Sequence, residues 1–128
     1  MTRFANIMLI DDDEDDREIF ASAIAQIGAV ENFTEFSCPV EALHALKRKE
    51  VHPDLIFLDL NMPKMNGQEF LSKIKEELLL RDIPVVIFST SGSYRNIKST
   101  MDLGVLEYIT KPYRFDQLVS VLNRIFGR

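Results

Sequence analysis

The chain has 128 residues, a formal net charge of −5 and a 46% share of hydrophobic residues. That length suits one domain with its own core, and the acidic balance argues against a nucleic-acid-binding surface, which needs a basic patch. The lone cysteine, Cys38, excludes an intrachain disulfide and fits a reducing, cytoplasmic setting. No apolar run approaches the ~18–20 residues that a membrane helix needs, and Arg3 and Asn6 interrupt the N-terminal stretch where a signal peptide would be apolar.

The first apolar run, Ile7-Met8-Leu9-Ile10, reads as a buried strand and stops at Asp11, Asp12 and Asp13. Ile19, Phe20, Ala23, Ile24 and Ile27 then recur at helical spacing, with Gly28 as the C-terminal cap. Phe33-Thr34-Glu35-Phe36 is short and half polar, as an edge strand is. Pro39 suits the first turn of a second helix whose inner face carries Val40, Leu43 and Leu46. Lys47-Arg48-Lys49 at its end complements the helix dipole. Asp54 to Leu58 is apolar on both faces, which places it centrally, and it stops at Asp59.

Residues 61–67, Asn-Met-Pro-Lys-Met-Asn-Gly, form a turn-rich loop. A third helix follows with Phe70, Leu71, Ile74 and Leu78 inward. Val85-Val86-Ile87-Phe88 is another two-sided strand, ending in the small polar loop from Ser89 to Ser93. A weakly amphipathic helix from Tyr94 to Leu103 turns Ile97 and Met101 inward and stops at Gly104. Glu107 to Ile109 is a short fifth strand, followed by Thr110, Lys111 and Pro112. The last helix carries Leu118, Val119, Leu122, Ile125 and Phe126. Five strands alternating with five helices specify an α/β, doubly wound parallel sheet with right-handed crossovers, in one domain over residues 1–128. The flavodoxin-like strand order 2-1-3-4-5 is the template for such a chain.

In an open parallel sheet, ligands bind beyond the carboxyl ends of the strands. Asp11, Asp12, Asp59, Ser89 and Lys111 all fall at such ends. Two carboxylates about 4 Å apart repel by roughly 4 kcal/mol at an effective dielectric near 20. The repulsion is relieved by a raised pKa or by a bound cation. Hard oxygen ligands around a small site suit Mg²⁺, which shares phosphate oxygens. A carboxylate can itself be a phosphoryl nucleophile. Mg²⁺, Lys111 and the Ser89 hydroxyl supply the alignment and charge neutralisation that phosphoryl transfer needs. Asp15 and Asp16 favour the N-terminus of the first helix. The acidic run is no EF-hand loop, because its sixth position is Asp16 rather than Gly and its twelfth is Ser22 rather than Glu. His44 and His52 read as surface residues away from the strand ends.

The stretches LIDDDEDD, DLIFLDLNMPKMNG, IPVVIFSTS and EYITKP, in this order and spacing, resemble the receiver domain of bacterial response regulators from about Asn6 to Phe126. The chain looks most like stand-alone receivers that serve phytochrome-type and other sensor kinases; the chemotaxis regulator shares the single-domain plan. The resemblance implies a two-component phosphorelay protein, not an enzyme, that takes a phosphoryl group from a histidine kinase. It makes Asp59 the phosphoacceptor, Asp12 a direct Mg²⁺ ligand, Asp11 the holder of metal-bound water, and the Asn61 carbonyl the remaining ligand. It makes Lys111 the lysine of the family motif, Ser89 the switch hydroxyl and Tyr108 the aromatic switch. Thr90 departs from the small residue the family usually has there. The resemblance also implies a cis Lys111–Pro112 bond that turns the lysine over the acids. Output then goes through the fourth helix, fifth strand and fifth helix to a protein partner or a histidine phosphotransfer protein, with no nucleic acid and no membrane involved.

Two other functions share parts of this pattern. A haloacid dehalogenase-type phosphatase also uses a strand-end Asp, a Ser or Thr and a Lys. Asp15 stands where that family wants Thr or Val after the Asp11-x-Asp13 pair, no acidic pair follows Lys111, and Asp59 would have no role. An unphosphorylated receiver-like scaffold does not require the full set of site residues.

Overall fold

Strands that are apolar on both faces are buried only when helices cover both sides of their sheet. The computed structural model, which describes residues 4–62, 65–90 and 92–127, has this arrangement. Arg3, Pro63, Lys64 and Ser91, read above from the sequence, lie outside the described residues. The elements run β1 (Asn6–Ile10), α1 (Glu14–Ile27), β2 (Asn32–Phe36), α2 (Pro39–Lys47), β3 (Leu55–Leu58), α3 (Gly67–Glu76), β4 (Val85–Ser89), α4 (Tyr94–Asp102), β5 (Glu107–Thr110) and α5 (Phe115–Phe126). All strand pairs are parallel, in the expected order β2-β1-β3-β4-β5.

Strand alternation sorts the core into two layers. Met8, Ile10, Ile56, Leu58, Val85 and Ile87 face one side, against Leu43 and Leu46 of α2 and Phe70, Leu71 and Ile74 of α3. Ile7, Leu9, Leu55, Phe57, Val86 and Phe88 face the other, against Phe20 and Ile24 of α1 and Leu118, Leu122 and Ile125 of α5. Phe20 meets the rings of Phe57 and Phe88 edge-on at 4.9 and 5.5 Å. Full burial stabilises each such side chain by roughly 1.5–3 kcal/mol.

Helix ends follow local chemistry. Asp13 caps α1 by accepting from the Asp16 N–H at 3.0 Å. Gly28 closes the helix at φ 68°, a conformation other residues adopt only with strain. Asn66 and Glu69 cap α3 reciprocally.

Five inward-facing expectations need correction. Leu78 is 69% exposed because α3 ends at Glu76, before the position where Leu78 would turn back to the core. Ile19 is 47% exposed, because Phe20, Ala23 and Ile24 alone fill the contact line of α1. Met101 is exposed and Ile97 only half-buried; the inward position of α4 belongs to Thr100, whose hydroxyl is satisfied by the carbonyls of Asn96 and Ile97. Val40 is half-buried, and Ala42 and Ala45 share the α2 contact instead.

Candidate functional site

The register of β1 against β3 pairs Ile10 with Leu58, so the next residues, Asp11 and Asp59, emerge side by side. Their backbones stay in the sheet: the Asp59 N–H donates to Ile10 O at 3.0 Å and the Asp11 N–H donates to Phe36 O at 3.1 Å. The carboxylates are then aimed by the turns that follow. Asp11 Oδ1 accepts from the Asp13 N–H at 3.0 Å, and Asp59 Oδ1 accepts from the Asn61 N–H at 3.2 Å. Both acids are buried, at 1% and 6% exposure, whereas Asp12 is exposed. One oxygen from each of Asp11, Asp12 and Asp59 lies within 4.8 Å of the others.

Lys111 completes the cluster from the far side. Its N–H donates to Ser89 O at 2.8 Å, continuing the β4–β5 pairing by one residue. Its ammonium reaches Asp16 Oδ2 at 2.7 Å, Asp11 Oδ2 at 2.8 Å and Asp59 Oδ2 at 3.3 Å. Its side chain is 9% exposed and lies 5.8 Å from the centre of the Phe88 ring. Burial pushes Asp11 up to about 6, against the pull of the hydrogen bond from Lys111. Burial also opposes the Lys111 charge, but its hydrogen bonds to Asp11 and Asp16 outweigh it and hold the ammonium above the usual lysine range. Four carboxylates around one ammonium leave an excess of negative charge, which is the environment a divalent cation neutralises.

Gly67 fixes the approach of α3 to this end of the sheet. A Cβ there would lie 2.6 Å from Asp59 O and 2.7 Å from Leu60 Cα. Its N–H donates to Leu60 O at 2.9 Å. Absence of a side chain therefore lets the first turn of α3 rest directly on the residues after β3.

The expected site residues are placed as follows. Asp11, Asp12, Asp59 and Lys111 converge. Asn61 is exposed, tied to Asp59 through its N–H. Ser89 is fully buried as the last residue of β4, paired in register with Thr110. Tyr108 pairs with Ile87, is half-buried, and packs on the core layer shared with α2 and α3. Thr90, His44 and His52 are exposed.

Two features differ from the sequence reading. The Lys111–Pro112 bond is trans, as no described peptide bond is cis. Trans is the lower-energy form by about 0.5–1 kcal/mol, and the long lysine side chain spans the distance to Asp59 without the turn. Asp16, read only as a helix-dipole residue, makes the shortest contact to Lys111. The signal available was position: a residue three beyond the cap Asp13 lies in the first helical turn, directly over the strand ends.

The response regulator receiver domain family matches residues 7–123. The phosphorylated cyanobacterial phytochrome response regulator RcpA has the same fold, with TM-score 0.87 and 34% identity over 94% of this chain and 90% of its own. The sensor histidine kinase CheAY of Helicobacter pylori is 30% identical over 92% of this chain, which spans 14% of that protein's length. A chemotaxis protein CheY homologue of Campylobacter jejuni is 28% identical over 94% of this chain and 92% of its own. A doubly wound sheet with clustered strand-end acids and a strand-end lysine is the architecture of a phosphoacceptor signalling domain. This chain belongs to the response regulator receiver domain family.

Proposed function

We propose that this chain is a two-component response regulator receiver, a single receiver domain over residues 1–128 that accepts a phosphoryl group at Asp59. The observation that carries the reading is the convergence of Asp11, Asp12, Asp59 and Lys111 at one end of the sheet. An Asp59 carboxylate oxygen attacks the phosphorus of a phosphohistidine on a sensor histidine kinase. The new O–P bond replaces the P–N bond, whose electron pair leaves with the imidazole.

Asp11, Asp12, Asp59 and the Asn61 backbone carbonyl are the residues that would hold Mg²⁺. The oxygen-only donor set and the spacing of its carboxylates fit that ion. When bound, Mg²⁺ offsets the charge of the acids and of the incoming phosphoryl oxygens. Lys111 holds Asp59 in the resting state and passes a hydrogen bond to a phosphoryl oxygen afterwards. The Ser89 hydroxyl is drawn toward the same oxygens, and Tyr108 moves into the space released.

The face made by α4, β5 and α5 reports the change. Support comes from α4, whose only buried residue is Thr100, and from exposed Tyr94, Met101 and Leu106 nearby. A helix so lightly anchored shifts at low cost. The partner on that face is an output protein or a histidine phosphotransfer protein. Among the described residues no helix is long and apolar enough to cross a membrane; the reading is of a cytoplasmic switch that contacts proteins, not nucleic acid. It is not an enzyme acting on separate substrates, and p-nitrophenyl phosphate is not turned over.

The test is intact-protein mass spectrometry after incubation with acetyl phosphate. Wild type with Mg²⁺ gains one phosphoryl group; Asp59→Asn gains none, and chelation of Mg²⁺ abolishes the gain in wild type. Equal phosphorylation of wild type and Asp59→Asn contradicts the assignment.

A further inference from the structure

An ammonium has three N–H donors and no acceptor. Those of Lys111 face three carboxylates, Asp16 at 2.7 Å, Asp11 at 2.8 Å and Asp59 at 3.3 Å, so its donor capacity is matched by acceptors in the resting chain. The three partners differ in what else is asked of them. Asp59 and Asp11 share the carboxylate cluster with Asp12, whereas Asp16 lies outside it. Asp59, on the function proposed above, loses its charge to the acyl phosphate. Asp16 alone has no part in the carboxylate cluster or the acceptor chemistry. It comes from the first turn of α1, 95 positions before Lys111 in the chain, and its side chain is one-third exposed while that of Lys111 is nearly covered.

We propose that Asp16 is a positioning residue for the phosphoryl site: it anchors the Lys111 ammonium from outside the metal and acceptor cluster, so that the donor released by Asp59 is already aimed at the phosphoryl oxygens. The inference rests on the phosphoacceptor reading of Asp59. Its physical basis is preorganisation. A lysine side chain is rich in rotamers, and a group fixed before the reaction does not have to be ordered during it. The longest of the three contacts is the one to Asp59, which is the bond the chemistry must exchange. The two shorter ones keep the nitrogen in place while that exchange occurs. With Asp16 neutral, Lys111 keeps Asp11 as its only partner outside the reacting group. Asp11 is also one of the acids that would hold the metal, so the lysine is then shared between competing tasks.

A helix-dipole role for Asp16 predicts something different. It would change the stability of α1 slightly and leave the lysine ammonium undisturbed. The two are separated by comparing wild type, Asp16→Asn and Asp16→Glu. The readouts are the ¹⁵N-detected Lys111 ammonium resonance, identified by its loss in Lys111→Arg, and the rate of phosphorylation by acetyl phosphate at saturating Mg²⁺. In wild type the ammonium resonance is sharp. In Asp16→Asn it broadens or disappears, and the phosphorylation rate falls several-fold. Asp16→Glu restores the negative charge on a longer arm and recovers a large part of both. The inference is overturned if the resonance is unchanged in Asp16→Asn, if Asp16→Asn is phosphorylated at the wild-type rate, or if Asp16→Glu is as slow as Asp16→Asn. If wild type itself is not phosphorylated at Asp59, the functional reading fails, while the ammonium resonance still decides whether Asp16 anchors Lys111.

Discussion

At the scale of single residues, the site is a problem in charge. Four carboxylates contact or neighbour one ammonium, and two of those acids are almost fully buried. Removing the ammonium leaves buried charge without compensation, which typically costs about 3–5 kcal/mol. Lys111→Met is therefore expected to lower the stability of metal-free protein by that order in a urea titration, and Mg²⁺ should restore part of the loss by supplying another cation. An equal loss with and without Mg²⁺ would show that the metal does not share the site. Asp12 behaves differently because it is exposed and no described hydrogen bond or ion pair of the fold involves its side chain. Asp12→Ala should fold as wild type by circular dichroism but fail to phosphorylate when Mg²⁺ is limiting; a wild-type rate under that condition removes Asp12 from the metal site. Asp11, Asp12, Asp59 and Lys111 were legible from sequence because each directly follows a run whose burial is obvious. Asp16 was not. Its contact depends on how the first turn of α1 leans over the sheet, and an acidic residue at that place already has a sufficient explanation in the helix dipole.

At the scale of elements, the β3–α3 connection and α4 divide rigid from movable structure. Gly67 rests on Asp59 O and Leu60 Cα at distances no side chain tolerates, and the atoms it would meet include backbone. Gly67→Ala must push α3 away from the end of β3. Overpacking of this kind costs about 1–3 kcal/mol; a thermal melt should show the loss, and the phosphorylation rate should fall with it because the Asp59 turn is displaced. Unchanged stability would mean that the connection relaxes freely. By contrast α4 is held by little buried surface. Hydrogen exchange with and without beryllofluoride, a phosphoryl mimic, should show altered protection in residues 89–111. Changes confined to residues 11–16 would contradict a switch running through Ser89, Tyr108 and α4. The sequence located every strand and helix, since period and turn residues mark them. It misplaced Leu78, Ile19 and Met101 because periodicity predicts a face but not where the helix ends or how much of that face its neighbours cover.

At the scale of the molecule, the two-layered core is a platform for one end of the sheet. Phe20, Phe57 and Phe88 pack together beneath the acids, and Lys111 lies against the Phe88 ring. The fold thus converts residues as far apart in sequence as Asp11 and Lys111 into neighbours at 2.8 Å. The strand order was legible only through resemblance to a known sheet, because alternation of strands and helices alone leaves several orders open. On the proposed function, Asp59 itself becomes the acyl phosphate. The most direct measurement is borohydride reduction of protein treated with acetyl phosphate and Mg²⁺, followed by proteolysis and peptide sequencing by mass spectrometry. Reduction converts a phosphorylated aspartate to homoserine. The account predicts homoserine at position 59 and at no other aspartate; homoserine at Asp11 or Asp12, or none at position 59, would contradict it.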